Sequence, residues 1–343
     1  MKRERSVLII YTGGTIGMVH DESRDTLVPF DFSHISDQVP ELHRFGYSVN
    51  SISFNKPIDS SDVDPALWAK MASAIEENYD EHDGFIILHG TDTMAYSASA
   101  LSFMLGNLGK PVIFTGSQLP IGLLRTDGRE NLITSIEIAA TMIDGEPAVP
   151  EVSIYFENKL MRGNRATKMS TEQFNAFDSP NYPLLAEAGT EIRFNRQHIN
   201  RGAGRKLKVS EGICSDVALL KIFPGISPAA VRAVLSMPGL RAVVLETYGS
   251  GNAPTAEWFI AELRKFIRMG GIAINVTQCH GGRVEMNLYE TGKRLLDLGV
   301  VSGRDITTEA ALTKIMHILG SNGDISSERA NMLLNRSLAG EIS

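Results

Sequence analysis

The sequence predicts an α/β protein of two domains with mainly parallel sheets, the amino-terminal one larger. Short apolar runs recur, beginning with Val7-Leu8-Ile9-Ile10, Gly84-Phe85-Ile86-Ile87-Leu88 and Pro111-Val112-Ile113-Phe114. Continuous runs of this length fit strands buried on both faces. Helix-length segments alternate with them, which implies βαβ units. The 343 residues suggest about two domains of roughly 100–200 residues each.

The first strand runs into Tyr11-Thr12-Gly13-Gly14-Thr15-Ile16-Gly17. Glycines there allow a sharp turn and leave two threonine hydroxyls with little bulk around them. Ligands bind at the carboxyl ends of strands in open α/β sheets. A tight turn whose threonines cap their own backbone is the competing reading. Neither phosphate-loop pattern, G-x-G-x-x-G or G-x-x-x-x-G-K-[ST], is present at this turn.

Residues 19–29 are polar and read as a mobile surface loop, either a lid or a plain connection. A strand-like segment at Ser51–Phe54 leads to Ile58-Asp59-Ser60-Ser61-Asp62. Asp64 before Pro65 is a helix start for Ala66–Glu77. The second buried strand enters His89-Gly90-Thr91-Asp92-Thr93-Met94 and a helix to about Leu105. Asp92 near that helix's start suits a cap. The third strand ends at Thr115-Gly116-Ser117-Gln118, and Asp127 opens a helix to about Met142. After a fourth strand at Val152–Tyr155 comes the basic loop Arg162–Lys168, then Phe174, Phe177, Tyr182 and two prolines, which suggest a loop pinned by aromatic packing.

Residues 190–212 are polar, basic and glycine-bearing and read as an interdomain linker. Residues 1–189 are then the amino-terminal domain and 213–343 the carboxy-terminal one. In the latter, strands at Val217–Ile222, Ala242–Leu245 and Ile272–Val276 alternate with helices at Pro228–Leu235 and Thr255–Arg268, and two more helices follow Asp305.

The net charge of −7 argues against a nucleic-acid partner. Cys214 and Cys279 make no disulfide framework and suit a reducing compartment. A charged start, with no apolar stretch long enough for a signal or a membrane span, leads us to expect a cytoplasmic protein. The histidines and cysteines lack metal-ligand spacing, and there is no G-x-S-x-G elbow. His89 and His280 read as hydrogen-bonded structural residues; Met94, Met104 and Met142 read as core.

Taken together, Thr12-Gly13-Gly14-Thr15-Ile16-Gly17 and His89-Gly90-Thr91-Asp92-Thr93-Met94-Ala95 resemble the two signature motifs of the bacterial-type L-asparaginases. Ser60-Ser61-Asp62 lies between them as in that family. Asp127-Gly128 with Asn131, Gly163 through Lys168, and Gly251-Asn252 extend the likeness over nearly the whole chain. Tyr11–Met18 and the absent secretory signal point to the cytoplasmic type I branch.

The resemblance implies hydrolysis of L-asparagine to L-aspartate and ammonia, without cofactor or metal. It makes Thr15 the nucleophile and Thr91, Asp92 and Lys168 a triad-like group. Ser60 would hold the substrate α-carboxylate, with Ser61 and Asp92 at its amino end. Gly14 and Gly90 would line the site and lend backbone N–H groups. Family members are tetramers built as dimers of dimers, so Asn252 would serve a partner's site. Thr167 and Cys279 match positions of a second, regulatory asparagine site found in some type I enzymes. Two departures stand out. Many members place a tyrosine in the loop after the first motif, and residues 19–29 have none; Leu27 stands there. Glu246 stands where enterobacterial members carry an arginine. Alternatives are a glutaminase, the ammonia-releasing subunit of a tRNA amidotransferase, a non-catalytic amino-acid-binding protein, and a nucleotide-binding protein. The amidotransferase subunit usually carries an extra amino-terminal domain, whereas the first motif here begins at residue 12.

Overall fold

A computed structural model describes residues 5–21, 26–29, 39–201 and 204–343. The chain divides into two compact α/β units, Met1–Ser210 and Glu211–Ser343.

The first unit is built on an eight-stranded sheet. Its strands are β1 (Ser6–Gly13), β2 (Ser48–Ile58), β3 (Gly84–Leu88), β4 (Val112–Thr115), β5 (Val152–Phe156), β6 (Lys159–Arg162), β7 (Ala186–Ala188) and β8 (Ile192–Phe194). They lie in the order β8-β7-β6-β5-β4-β3-β1-β2. The first five are parallel, and β6, β7 and β8 continue antiparallel. Every residue of β1, β3, β4 and β5 is buried, which explains why apolar residues predominate in them. The parallel part runs 2-1-3-4-5, so the direction of winding reverses between β1 and β3. At such a switch point a crevice opens beyond the carboxyl ends of the strands.

Among the described residues this unit has three α-helices: α1 (Pro65–Glu77), α2 (Met94–Met104) and α3 (Gly128–Ala140). Asp64 caps α1 by accepting from Leu67 N at 2.9 Å, with Pro65 in the first turn. Leu132, Ile136 and Ala139 of α3 pack with Val7 and Ile9 of β1 and Ile86 and Leu88 of β3.

The second unit has a four-stranded parallel sheet, β9 (Val217–Lys221), β10 (Ala242–Thr247), β11 (Ile272–Thr277) and β12 (Val301–Ser302), in sequence order. Its period-two alternation is plain in β10. Val243 and Leu245 meet α4 (Pro228–Leu235), α5 (Glu257–Arg268) and α6 (Glu290–Asp297). Ala242 and Val244 meet α7 (Thr308–Ser321) and α8 (Ser327–Leu334) on the other face. Among the described residues no helix is long and apolar enough to cross a membrane.

Two segments differ from the sequence reading. Met18–Asp21 and Thr26–Pro29 pair as an antiparallel hairpin, where residues 19–29 read as loop; positions 22–25 of that loop lie outside the described residues. Within 190–212, read as linker, Ile192–Phe194 is edge strand β8 and Lys208–Val209 pairs with Leu105–Gly106. Ile192 and Phe194 are half-buried against the core of the first unit, and that contact draws a polar stretch into the sheet.

Candidate active site

Adjacent strands β1 and β3 pair in register, Tyr11 opposite Leu88, so their two threonine-glycine corners leave the sheet side by side. Gly14 has φ +90°, and a Cβ there would stand 2.6 Å from Gly90 Cα. A Cβ on Gly90 would in turn stand 2.5 Å from Ser60 Oγ. Corners 14 and 90 thus meet at backbone distance, with the Ser60 side chain against Gly90, an approach that glycine at 14 and 90 permits. Thr15 begins a single helical turn, Thr15–Gly17, and is half-buried. Thr12 is spent elsewhere: it is buried and donates to Leu88 O at 2.9 Å.

Thr91 and Asp92 do not cap α2. Lys168 Nζ donates to Thr91 Oγ1 at 2.8 Å and to Asp92 Oδ1 at 2.7 Å. Its side chain is only 16% exposed, while Asp92 keeps 66%. Lys168 is delivered by a short strand, Thr167–Lys168, paired with Phe177–Asp178. Buried Phe177 packs on Phe156 at 5.1 Å, which is the aromatic pinning expected for this loop. Upstream, Arg162 is buried against Glu151 at 2.6 Å and lies over the Tyr182 ring.

Three further groups were named in the sequence reading without a role at the site. Thr93 Oγ1 donates to Ser60 O at 2.7 Å and ties the Ser60 corner to the start of α2. Gln118 Oε1 lies 3.4 Å from the Thr91 hydroxyl. Asp127 accepts from the backbone N–H groups of Gln118 and Leu119 and so braces that third corner. Thr115-Gly116-Ser117-Gln118 was the available signal, a third strand end carrying Thr beside Gly. Ser61 is exposed and bonds to Asp59. Asn252, Cys279 and Glu246 lie in the second unit. Asn252 Oδ1 accepts from Thr291 Oγ1 at 2.5 Å, and Cys279 is exposed. Glu246 is bound by Lys221 at 2.9 Å and by the Thr308 hydroxyl at 2.9 Å.

Burial pushes the Tyr11 hydroxyl up to about 12, and that hydroxyl donates to Gly17 O. His89 is buried, and desolvation pushes it down to about 4 from 6.5. The unfolded chain therefore binds this proton at a pH where the folded chain does not. Its contribution to stability is whole above about pH 6.5 and is lost as pH falls toward 4. The full loss is about 3 kcal/mol. Denaturant unfolding at several pH values is expected to show it, with His89→Leu lacking that component.

The comparisons agree with this geometry in both units. The asparaginase amino-terminal family model matches residues 6–200, and the glutaminase/asparaginase carboxy-terminal domain model matches residues 216–332. L-asparaginase 1 of Escherichia coli strain K12 is 42% identical, the match covering 99% of this chain and 98% of that one. The 60 kDa lysophospholipase of Mus musculus is 40% identical over 100% of this chain and 63% of its own. The crystal structure of L-asparaginase I from Vibrio cholerae superposes with a TM-score of 0.90 at 41% identity, covering 99% of this chain and 100% of that one. With both halves matched, and the two glycine corners meeting where β1 and β3 end, the chain belongs to the asparaginase family.

Proposed function

We propose that this chain hydrolyses the side-chain amide of L-asparagine to L-aspartate and ammonia through a threonine acyl-enzyme. The observation that carries the reading is Lys168 Nζ held between Thr91 Oγ1 and Asp92 Oδ1, beside the stacked corners of Gly14 and Gly90. Relatives named L-asparaginase support the substrate.

Thr15 Oγ attacks the amide carbon, and backbone N–H groups of the Gly14–Thr15 and Gly90–Thr91 corners face the oxygen that becomes negative. Collapse breaks the C–N bond. The leaving nitrogen takes a proton and departs as ammonia. Water then attacks the Thr15 ester, and aspartate leaves as the hydroxyl re-forms. Thr91 and Lys168 move protons in both halves. Ser60 receives the α-carboxylate, and exposed Asp92, with Ser61, receives the α-ammonium group. The chemistry needs no metal or organic cofactor.

The same reading makes the chain a cytoplasmic homo-oligomer, a dimer of dimers, in which Asn252 completes a partner's site. Thr167 and Cys279 are candidates for a second asparagine site. Glu246 weakens that assignment, because its carboxylate repels the ligand's own. Lys168→Met is expected to lower kcat for ammonia release by about 10²–10⁴-fold. Binding of aspartate without ammonia release by the unaltered protein would favour a non-catalytic binding role.

A further inference from the structure

Behind the Gly90 corner lies a buried polar chain that the mechanism above does not use. Trp68 of α1, Ser97 of α2 and His89 are all buried. Trp68 Nε1 donates to Ser97 Oγ at 2.9 Å, Ser97 Oγ lies 2.9 Å from His89 Nε2, and His89 Nδ1 lies 2.7 Å from Gly90 O.

The direction of every bond is fixed by chemistry. An indole N–H only donates and a carbonyl only accepts. His89 Nδ1 must therefore carry the hydrogen facing Gly90 O. A neutral ring then presents Nε2 as an acceptor, so the Ser97 hydroxyl donates to it, and the Ser97 oxygen accepts from Trp68. Burial supports the neutral ring by pushing His89 down to about 4. The ring is also held edge-on to Phe114 at 5.8 Å.

The chain ends on the peptide that joins Gly90 to Thr91. That peptide is trans, so its C=O and N–H point in opposite directions. Holding the carbonyl toward His89 aims the Thr91 N–H away from the His89 ring. Among the described residues that N–H has no acceptor. Thr91 is only half-buried, so this open donor is within reach of a bound ligand.

We infer that Trp68, Ser97 and His89 form a one-way hydrogen-bond relay that sets the plane of the Gly90–Thr91 peptide, which makes His89 a positioning residue for the Thr91 N–H as oxyanion donor. The relay connects two helices to one backbone donor without touching substrate. It rests on the acyl-transfer reading, in which the developing oxyanion is what the aimed donor stabilises. The donor serves the transition state more than the bound ground state, so its loss falls on kcat.

His89→Leu keeps the apolar packing and removes the Nδ1 donor. His89→Asn places an amide N–H near the Nδ1 position. One oxyanion donor is worth about 10²–10³-fold in kcat, and a misaimed one loses part of that. His89→Leu is expected to lower kcat for L-asparagine by about 10–100-fold. KM and the dissociation constant of L-aspartate should stay within about threefold. His89→Asn should recover kcat to within about fivefold of the unaltered protein. Unchanged kcat in His89→Leu, a parallel loss of aspartate binding, or equal defects in the two variants would overturn the inference. Should His89→Leu fail to fold, ¹⁵N spectra of histidine-labelled unaltered protein decide. A neutral ring protonated on Nδ1 supports the relay, and an Nε2–H tautomer or a charged ring at neutral pH refutes it. Full activity in Thr15→Ala would instead defeat the acyl-enzyme reading and leave the tautomer measurement standing.

Discussion

Thr15→Ala is expected to lower ammonia release from L-asparagine by about 10³-fold or more, while L-aspartate still binds. Three neighbouring hydroxyls are engaged elsewhere. Thr12 is buried and committed to Leu88 O, and Tyr11 is committed to Gly17 O. Thr91 already accepts from Lys168 and faces Gln118. The substitution removes no core packing, because Thr15 is only half-buried in a one-turn helix. Steady-state ammonia assays, with aspartate titration by calorimetry as the folding control, read the result. Full activity in the variant would end the assignment of Thr15 as nucleophile. Residual activity near the expected floor would show that the corner still binds and orients the amide.

The second large effect is on stability and lies in the second unit. Lys314 and Glu341 form an ion pair at 2.6 Å with both side chains 0% exposed. Lys314 Nζ also donates to Leu334 O and Arg336 O, each at 2.7 Å, so its three hydrogens are all placed. Glu341 accepts from the backbone N–H groups of Leu338 and Ala339. Burial pushes the lysine down, and the carboxylate opposes this by favouring its charged form. Glu341→Leu leaves an ammonium group buried without its counter-charge, which is expected to cost about 3–5 kcal/mol. The double variant Lys314→Met with Glu341→Leu should lie much closer to the unaltered protein, because it buries no lone charge. Denaturant midpoints for the single and double variants measure the difference.

What the sequence disclosed followed from local patterns. Strands β1, β3 and β4 were legible because burial on both faces fills their centres with unbroken apolar runs, Val7–Ile10, Phe85–Leu88 and Val112–Phe114. Helix α1 was legible through Asp64 and Pro65, whose capping bond the structure shows. Thr15 and Thr91 stood out because glycine beside threonine at a strand end has few structural uses. Lys168 was different. Nothing local separates it from a solvated lysine, and only family likeness singled it out. Its place depends on pairing with Phe177–Asp178, which spacing does not reveal. The pairing of Met18–Asp21 with Thr26–Pro29 and edge strand β8 were missed because these short segments sit in polar surroundings and are held by backbone pairing. Helix α6 was missed because Glu290–Asp297 is short and mostly polar, with Gly292 and Leu295 as its buried residues. The Lys314–Glu341 pair was invisible, since two charges 27 positions apart give no sign that both are buried.

The winding order of the first sheet also governs how competence arises in time. Thr12 and Leu88, bonded at the neck of the site, are 76 positions apart along the chain. Helices form from local contacts in about a microsecond, whereas distant strands must first close a long loop. A nascent or refolding molecule is thus helical well before it is chemically competent. Recovered turnover, followed against time after dilution from denaturant, is a clock for the docking of the two central strands.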